Sequence, residues 1–149
     1  MDVVGAHAHN KWRQPGKITV AAAPRAAAVG GARAAAADIP WLTHFARQLS
    51  EPVNGPYNEL RDLLRAEPAL EPEVRRTLAY FDTTSLATRL RAPTLVSLGQ
   101  ADTTCPPDSV RALFDRLAGC RALLEVPGLG HARSALWRRM ACDWMREWV

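Results

Sequence analysis

Two short apolar runs, Thr94–Leu98 and Ala122–Val126, most constrain how this 149-residue chain can fold. Each is rich in branched aliphatic residues, and the first lies between Pro93 and Gly99, which is typical of a buried parallel strand. Between them, apolar residues recur at helical spacing: Val110, Leu113, Phe114 and Leu117. Because neighbouring parallel strands need a crossover connection, the pattern predicts an α/β fold with a short parallel sheet flanked by helices.

Further helices are predicted on both sides of these strands. Residues 57–65 show one apolar helical face, a further helix is predicted over about 72–80, and Asp82 begins a cluster of polar residues suited to cap a short turn. The last segment, Ala132–Val149, predicts a helix whose apolar stripe we interpret as core packing rather than a partner groove. The stripe consists of Trp137, Met140, Ala141, Trp144, Met145 and Trp148.

A carboxylate and an imidazole follow the two predicted strands. Asp102 comes after the first strand and His131 lies in the glycine-rich loop after the second. The carboxyl ends of parallel strands share one sheet edge, where ligands bind in open α/β sheets. A carboxylate that holds one imidazole nitrogen leaves the other able to take a proton from a nucleophile, so the pair predicts a catalytic acid and general base. The alternative is a turn aspartate and an unrelated loop histidine.

Composition excludes several classes of function. The net charge of +4 is concentrated in residues 1–38, with five basic and two acidic side chains, and no basic stripe or reading motif follows, so we expect no nucleic-acid partner. No apolar run is long enough for a membrane helix, so we expect no membrane association. Cys105, Cys120 and Cys142 are odd in number and widely spaced. They predict reduced thiols in a cytoplasmic protein, with no metal site and no cofactor.

The chain resembles the acetyl xylan esterases and cephalosporin C deacetylases, a branch of the α/β-hydrolase superfamily. The stretches that carry the resemblance are "YFDTTSLATRLRAPTLVSLGQADTTCPP" (80–107) and "EVPGLGHARS" (125–134), with weaker similarity in "ADIPWLTHF" (37–45) and "GPYNELRDLLR" (55–65). The Asp-x-x-Cys-Pro-Pro element is the most specific part. The resemblance implies hydrolysis of acetyl groups from acetylated carbohydrates or related small esters, with Asp102 as the triad acid and His131 as the general base.

The serine nucleophile of that family has no counterpart in this sequence. None of Ser50, Ser85, Ser97, Ser109 and Ser134 stands in a Gly-x-Ser-x-Gly context. Aligning residues 12–23 with the family's nucleophile segment places Arg13 at the serine, and aligning residues 3–10 instead places His7 there. Ala132 also replaces the glutamate that family members normally carry after the histidine.

These departures lead to two expectations about function. We expect residues 1–36 to be a degenerate, alanine-rich segment and residues 37–149 to be the C-terminal portion of an acetyl xylan esterase-like domain, from a truncated or frame-shifted gene. One hypothesis is an acetyl-ester hydrolase whose serine comes from another segment or chain. The other is a catalytically inactive remnant that acts at most as an assembly or interaction module. An incomplete sheet would leave an edge and apolar surface open, so we expect self-association.

Overall fold

The fold is built on a four-stranded sheet, seen in a computed structural model that describes residues 18–20, 32–51 and 57–148. The strands are β1 (Ile18–Val20), β2 (Ala35–Ala37), β3 (Thr94–Gly99) and β4 (Arg121–Val126), and they are neighbours in that order. The strands β2, β3 and β4 are parallel, and β1 pairs with β2 in the antiparallel sense. The predicted parallel sheet is therefore confirmed.

Six α-helices accompany the sheet within the described residues. They are α1 (Phe45–Ser50), α2 (Tyr57–Ala66), α3 (Glu71–Ala79), α4 (Thr83–Ala87), α5 (Pro107–Arg116) and α6 (Ala135–Trp148), with a short 3-10 turn at Pro68–Leu70 before α3. The helices predicted before and after β3 and β4 are confirmed to within three residues at their ends. Asp82 is the N-cap of α4, as expected, and its side chain accepts a hydrogen bond from the Thr84 N–H.

The C-terminal end of the alanine-rich tract is part of the sheet. Residues 21–31 lie outside the described residues, but the last alanines form β2, which pairs with β3 in the register Ala35 to Thr94. The sheet edge that we expect an incomplete sheet to leave open is partly covered at β2, because three residues of β1 pair with it. The strand β2 crosses the domain boundary predicted after residue 36, and the division into two segments stays a prediction.

The two faces of the sheet bury separate apolar clusters. On one face, Val96 and Leu98 of β3 pack with Val110 and Leu113 of α5. On the other face, Ala36 and Leu95 pack with Trp137 of α6. Most of the apolar stripe of α6 is core, as predicted, because Ala141, Trp144 and Met145 also pack in this second cluster. The other two residues of the stripe, Met140 and Trp148, are 36% and 38% exposed.

Within the part of the chain that the structure describes, no helix has both the length and the apolar character needed to cross a bilayer.

Candidate active site

Three chemically active side chains lie beyond the carboxyl ends of neighbouring parallel strands. Asp38 directly follows β2, Asp102 lies in the turn after β3, and His131 lies in the loop after β4. The ends of β3 and β4 are in register, with Gly99 opposite Val126, whereas β2 ends at Ala37 opposite Val96, three residues before the end of β3. Topology alone therefore brings residues that are far apart in sequence to one edge of the sheet.

Asp102 and His131 form a hydrogen-bonded pair. The distance between Asp102 Oδ2 and His131 Nδ1 is 2.9 Å, across 29 residues of sequence. The carboxylate is fully buried, whereas the imidazole is 21% exposed. A carboxylate only accepts hydrogen bonds, so the Nδ1–H of His131 donates, and Nε2 is the nitrogen that can take up a proton. The structure thus brings the two predicted residues together in the arrangement of a catalytic acid and base, while their catalytic roles stay a prediction.

The second carboxylate oxygen of Asp102 is fixed by the backbone. The N–H groups of Thr104 and Cys105 both donate to Oδ1 at 2.8 Å. These bonds form because the turn after β3 folds back over the aspartate before Pro106 and Pro107 open α5. Asp102 therefore has one oxygen committed to the main chain and the other directed at His131.

Cys105 completes a compact group of potential metal ligands. Ligand atoms of Asp102, Cys105 and His131 lie within 4.8 Å of one another. Burial, followed by the nearby Asp102 carboxylate, raises the pKa of the Cys105 thiol to about 12, which disfavours the thiolate that a metal or a nucleophilic reaction needs. Because Asp102 and His131 are already bonded to each other, we interpret the group as an acid–base pair beside a neutral thiol rather than as a metal centre.

This interpretation predicts slow alkylation of Cys105. At pH 8, iodoacetamide should label the exposed Cys120 and Cys142 within minutes and leave the buried Cys105 unmodified in the native protein. Peptide mass spectrometry after a timed quench measures the three sites separately. Labelling in denaturant, where all three should react at similar rates, is the control. Preferential labelling of Cys105 in the native protein would instead identify it as an activated nucleophile.

A second buried carboxylate at this edge, Asp38, was missed in the sequence. Its Oδ1 accepts a hydrogen bond from Ser97 Oγ at 2.6 Å, and Ser97 Oγ in turn accepts one from the Ile39 N–H at 3.0 Å. Burial raises the pKa of Asp38 above its usual value, although the Ser97 hydrogen bond and the electrostatic influence of Arg133 and His131 oppose this shift. Asp38 follows a strand as Asp102 does, but the sequence could not reveal it, because strand β2 lies in the alanine-rich tract that gives no clear strand pattern.

The loop between β2 and α1 has an unusual backbone. Ile39, Leu42 and His44 all have positive φ angles of 45°, 59° and 55°, a conformation that costs energy for residues other than glycine. The Asp82 carboxylate holds the far end of this loop by accepting hydrogen bonds from the N–H groups of His44 and Phe45. Tertiary contacts therefore impose a conformation that the local sequence disfavours.

A groove of about 520 Å³ opens beside this loop. Its lining is almost entirely apolar and includes Trp41, Leu42, Phe45, Tyr57, Leu60, Leu63, Leu78 and Phe81, with Glu59 at the same opening. Tyr57 is buried and makes edge-to-face contacts with Trp41 and Phe45, and burial raises the pKa of its hydroxyl. The groove thus offers aromatic surface close to the strand-end loops.

Four of the five serines that the structure describes, Ser50, Ser97, Ser109 and Ser134, form hydrogen bonds through their side chains. Ser97 bonds to Asp38, buried Ser109 accepts a hydrogen bond from Gln48 Nε2 at 3.1 Å, and Ser134 Oγ accepts one from the Leu136 N–H at the start of α6. Ser50 donates to the Ala46 carbonyl within α1. The two segments that can be aligned with a nucleophile elbow, with His7 and Arg13 at the serine position, lie outside the described residues.

Comparison with known proteins identifies relatives of the whole described region. The family model for acetyl xylan esterase matches residues 7–147. The structure superposes on an acetyl xylan esterase from Paenibacillus sp. R4 with a TM-score of 0.80 and 30% identity, covering 85% of this chain and 42% of that one. Acetyl xylan esterase 1 from Thermoanaerobacterium sp. JW/SL YS485 gives a TM-score of 0.73 and 26% identity, covering 83% and 41%. The chain thus spans less than half the length of either esterase.

Proposed function

This chain belongs to the acetyl xylan esterase family, and from that membership we propose that it supplies the acid and the general base of a carboxylic ester hydrolase that removes acetyl groups from acetylated sugars. The observation that carries the proposal is the 2.9 Å hydrogen bond between Asp102 and His131 at the carboxyl edge of the sheet. The substrates of the two esterases, acetylated xylans by their names, suggest the substrate class. Cephalosporin-type acetyl esters are a second substrate of the same chemistry.

The mechanism follows from the tautomer that Asp102 imposes. His131 Nε2 takes the proton of a serine hydroxyl as that oxygen attacks the acetyl carbonyl, and Asp102 stabilises the imidazolium that forms. The imidazolium then gives its proton to the departing sugar oxygen, leaving an acetyl-enzyme. In the second half-reaction, His131 takes a proton from water as that water attacks the acetyl carbonyl, and it then gives the proton to the serine oxygen as the acyl bond breaks and acetate leaves.

The serine in this scheme comes from a Gly-x-Ser-x-Gly segment outside the present sequence. The two possible alignments place Arg13 or His7 at the serine position, so in this proposal another segment or chain supplies the nucleophile. The absence of the motif from the 149 residues also favours the second candidate, a catalytically inactive module that acts only in assembly. The two candidates differ in whether His131 can act on a serine supplied from outside.

A complementation assay separates the two candidates. We expect the purified chain alone to release no more 4-nitrophenol from 4-nitrophenyl acetate than its His131→Ala variant, because a base without its nucleophile activates nothing. Mixing the chain with an N-terminal fragment of the Paenibacillus esterase that is chosen to include its serine nucleophile should raise acetate release at least about tenfold over either component. The same mixture with His131→Ala should lose this gain. No gain on mixing would support the inactive module.

The cellular setting and the partners of this chain remain predictions. Cys105, Cys120 and Cys142 are all free thiols, which is consistent with the proposed cytoplasmic location. Tyr80 and Phe81 are 74% and 60% exposed beside the apolar groove, which supports the proposed self-association. Size-exclusion chromatography with light scattering tests that association directly.

A further inference from the structure

The glycine that ends β3 is in close contact with the loop that carries His131. A Cβ atom on Gly99 would lie 2.4 Å from the Leu129 carbonyl oxygen and 2.8 Å from that of Gly130. Both distances are shorter than any normal carbon–oxygen contact, and both partners are backbone atoms that cannot move without moving the loop. The loop therefore rests on the end of β3 only because residue 99 has no side chain.

Hydrogen bonds fix the loop in this position. The Ala101 N–H donates to the Leu129 carbonyl at 2.9 Å, and the Gln100 N–H donates to the Val126 carbonyl at 3.1 Å. The same turn carries Asp102, whose N–H donates to the Gly99 carbonyl at 3.2 Å. One turn of four residues thus holds both halves of the acid–base pair, since it carries Asp102 directly and supports the loop of His131.

We propose that Gly99 is a positioning residue for His131. Because residue 99 has no side chain, the loop 127–131 can pack directly against the end of β3, and this packing places His131 Nδ1 2.9 Å from Asp102 Oδ2. Hydrogen bonds weaken steeply when the atoms separate, and a displacement of about 1 Å in a catalytic group can cost on the order of 100-fold in rate. The catalytic consequence rests on the proposed function, whereas the positioning itself rests only on the fold.

Proton NMR tests the positioning without any need for turnover. A histidine Nδ1–H that donates to a carboxylate gives a resonance at unusually low field, and the signal of His131 is identified by its loss in His131→Asn. We expect Gly99→Ala to abolish this resonance or shift it to the position of a solvent-exposed imidazole. In the complemented esterase, the same variant should lower kcat about 100-fold with a much smaller change in KM.

Two other glycines provide matched controls. A Cβ on Gly119 would lie 2.3 Å from the Arg91 carbonyl oxygen, an equally severe clash at the opposite end of β3 and β4, so Gly119→Ala should destabilise the fold comparably and keep the resonance. A Cβ on Gly130 would have its nearest contact at 3.8 Å, so Gly130→Ala changes the loop without a clash and should also keep the resonance. If Gly99→Ala does not fold, Ala101→Pro is tested in its place. This variant removes the N–H that donates to the Leu129 carbonyl.

The outcomes separate this proposal from the proposed function. A resonance that persists in Gly99→Ala, or in Ala101→Pro when Gly99→Ala does not fold, would overturn the positioning role. A resonance lost equally in Gly119→Ala would also overturn it, because general destabilisation would then be the cause. If the resonance responds as expected but the complemented protein releases no acetate, the positioning role stands and the proposed function fails.

Discussion

Asparagine at position 102 is expected to reverse the tautomer of His131 and to lower kcat of the complemented esterase by about 10⁴-fold, the loss known for the same change in a serine-protease triad. The backbone dictates how the new amide is oriented. The N–H groups of Thr104 and Cys105 require an acceptor at the position of Oδ1, so the amide oxygen occupies that place and the NH₂ group faces His131. The NH₂ group only donates, so Nδ1 must accept and Nε2 must carry the proton. Nε2 can then no longer act as a base.

Long-range ¹H–¹⁵N spectra of the chain measure this tautomer directly. The Nδ1–H form should dominate in the original protein and the Nε2–H form in Asp102→Asn. Asp143→Asn is a suitable control, because Asp143 is an exposed aspartate on α6 that forms an ion pair with Arg146 on the same helix. An unchanged Nδ1–H form in Asp102→Asn would show that some other group determines the state of His131.

Replacing Asp82 with alanine is expected to lower the free energy of unfolding by about 4 kcal/mol, a large part of the 5–15 kcal/mol of a typical domain. Its carboxylate accepts hydrogen bonds from the N–H groups of His44, Phe45 and Thr84 and from the Thr84 hydroxyl, at 2.6–3.0 Å. Alanine would leave these donors unsatisfied in a buried site. It would remove the N-cap of α4 and release the loop that enters α1.

Urea denaturation followed by tryptophan fluorescence measures this loss, and the melting temperature should fall by roughly 10–15 °C. Asp82→Asn keeps one acceptor oxygen and should lose an intermediate amount. Asp143→Ala, in an exposed ion pair, should change stability by less than about 0.5 kcal/mol. Equal losses in Asp82→Ala and Asp143→Ala would contradict the capping role of Asp82.

The half of the fold that contains the candidate site could be predicted because its signals are local. Strands β3 and β4 are short apolar runs bounded by proline and glycine, and α5 has a regular apolar face. Once the order of β3 and β4 is known, Asp102 and His131 are expected to lie close together, because each follows the carboxyl end of one of two neighbouring parallel strands. No other contact has to be known for this expectation. Their 2.9 Å hydrogen bond agrees with that reasoning.

Strand β2 and the loop after it could not be predicted because distant residues determine them. Alanine has little preference for strands, and Ala35–Ala37 extend because they pair with β3, including a hydrogen bond from the Ala35 N–H to the Pro93 carbonyl. Ile39, Leu42 and His44 give no local sign of a positive φ angle. Their conformation depends on Ser97 and on Asp82, both of which lie far along the chain.

The plain alanines of β2 also have a consequence for how sequences of this kind can evolve. Ala36 lies under Trp137 and beside Leu95, so a methyl group is the side chain that leaves room for an indole on this face of the sheet. A larger residue at position 36 would have to be inherited together with a smaller one at position 137. Among descendants of this gene, we therefore expect positions 36 and 137 to change together. The volume of Trp137 thus limits which residues the alanine-rich tract can carry at position 36.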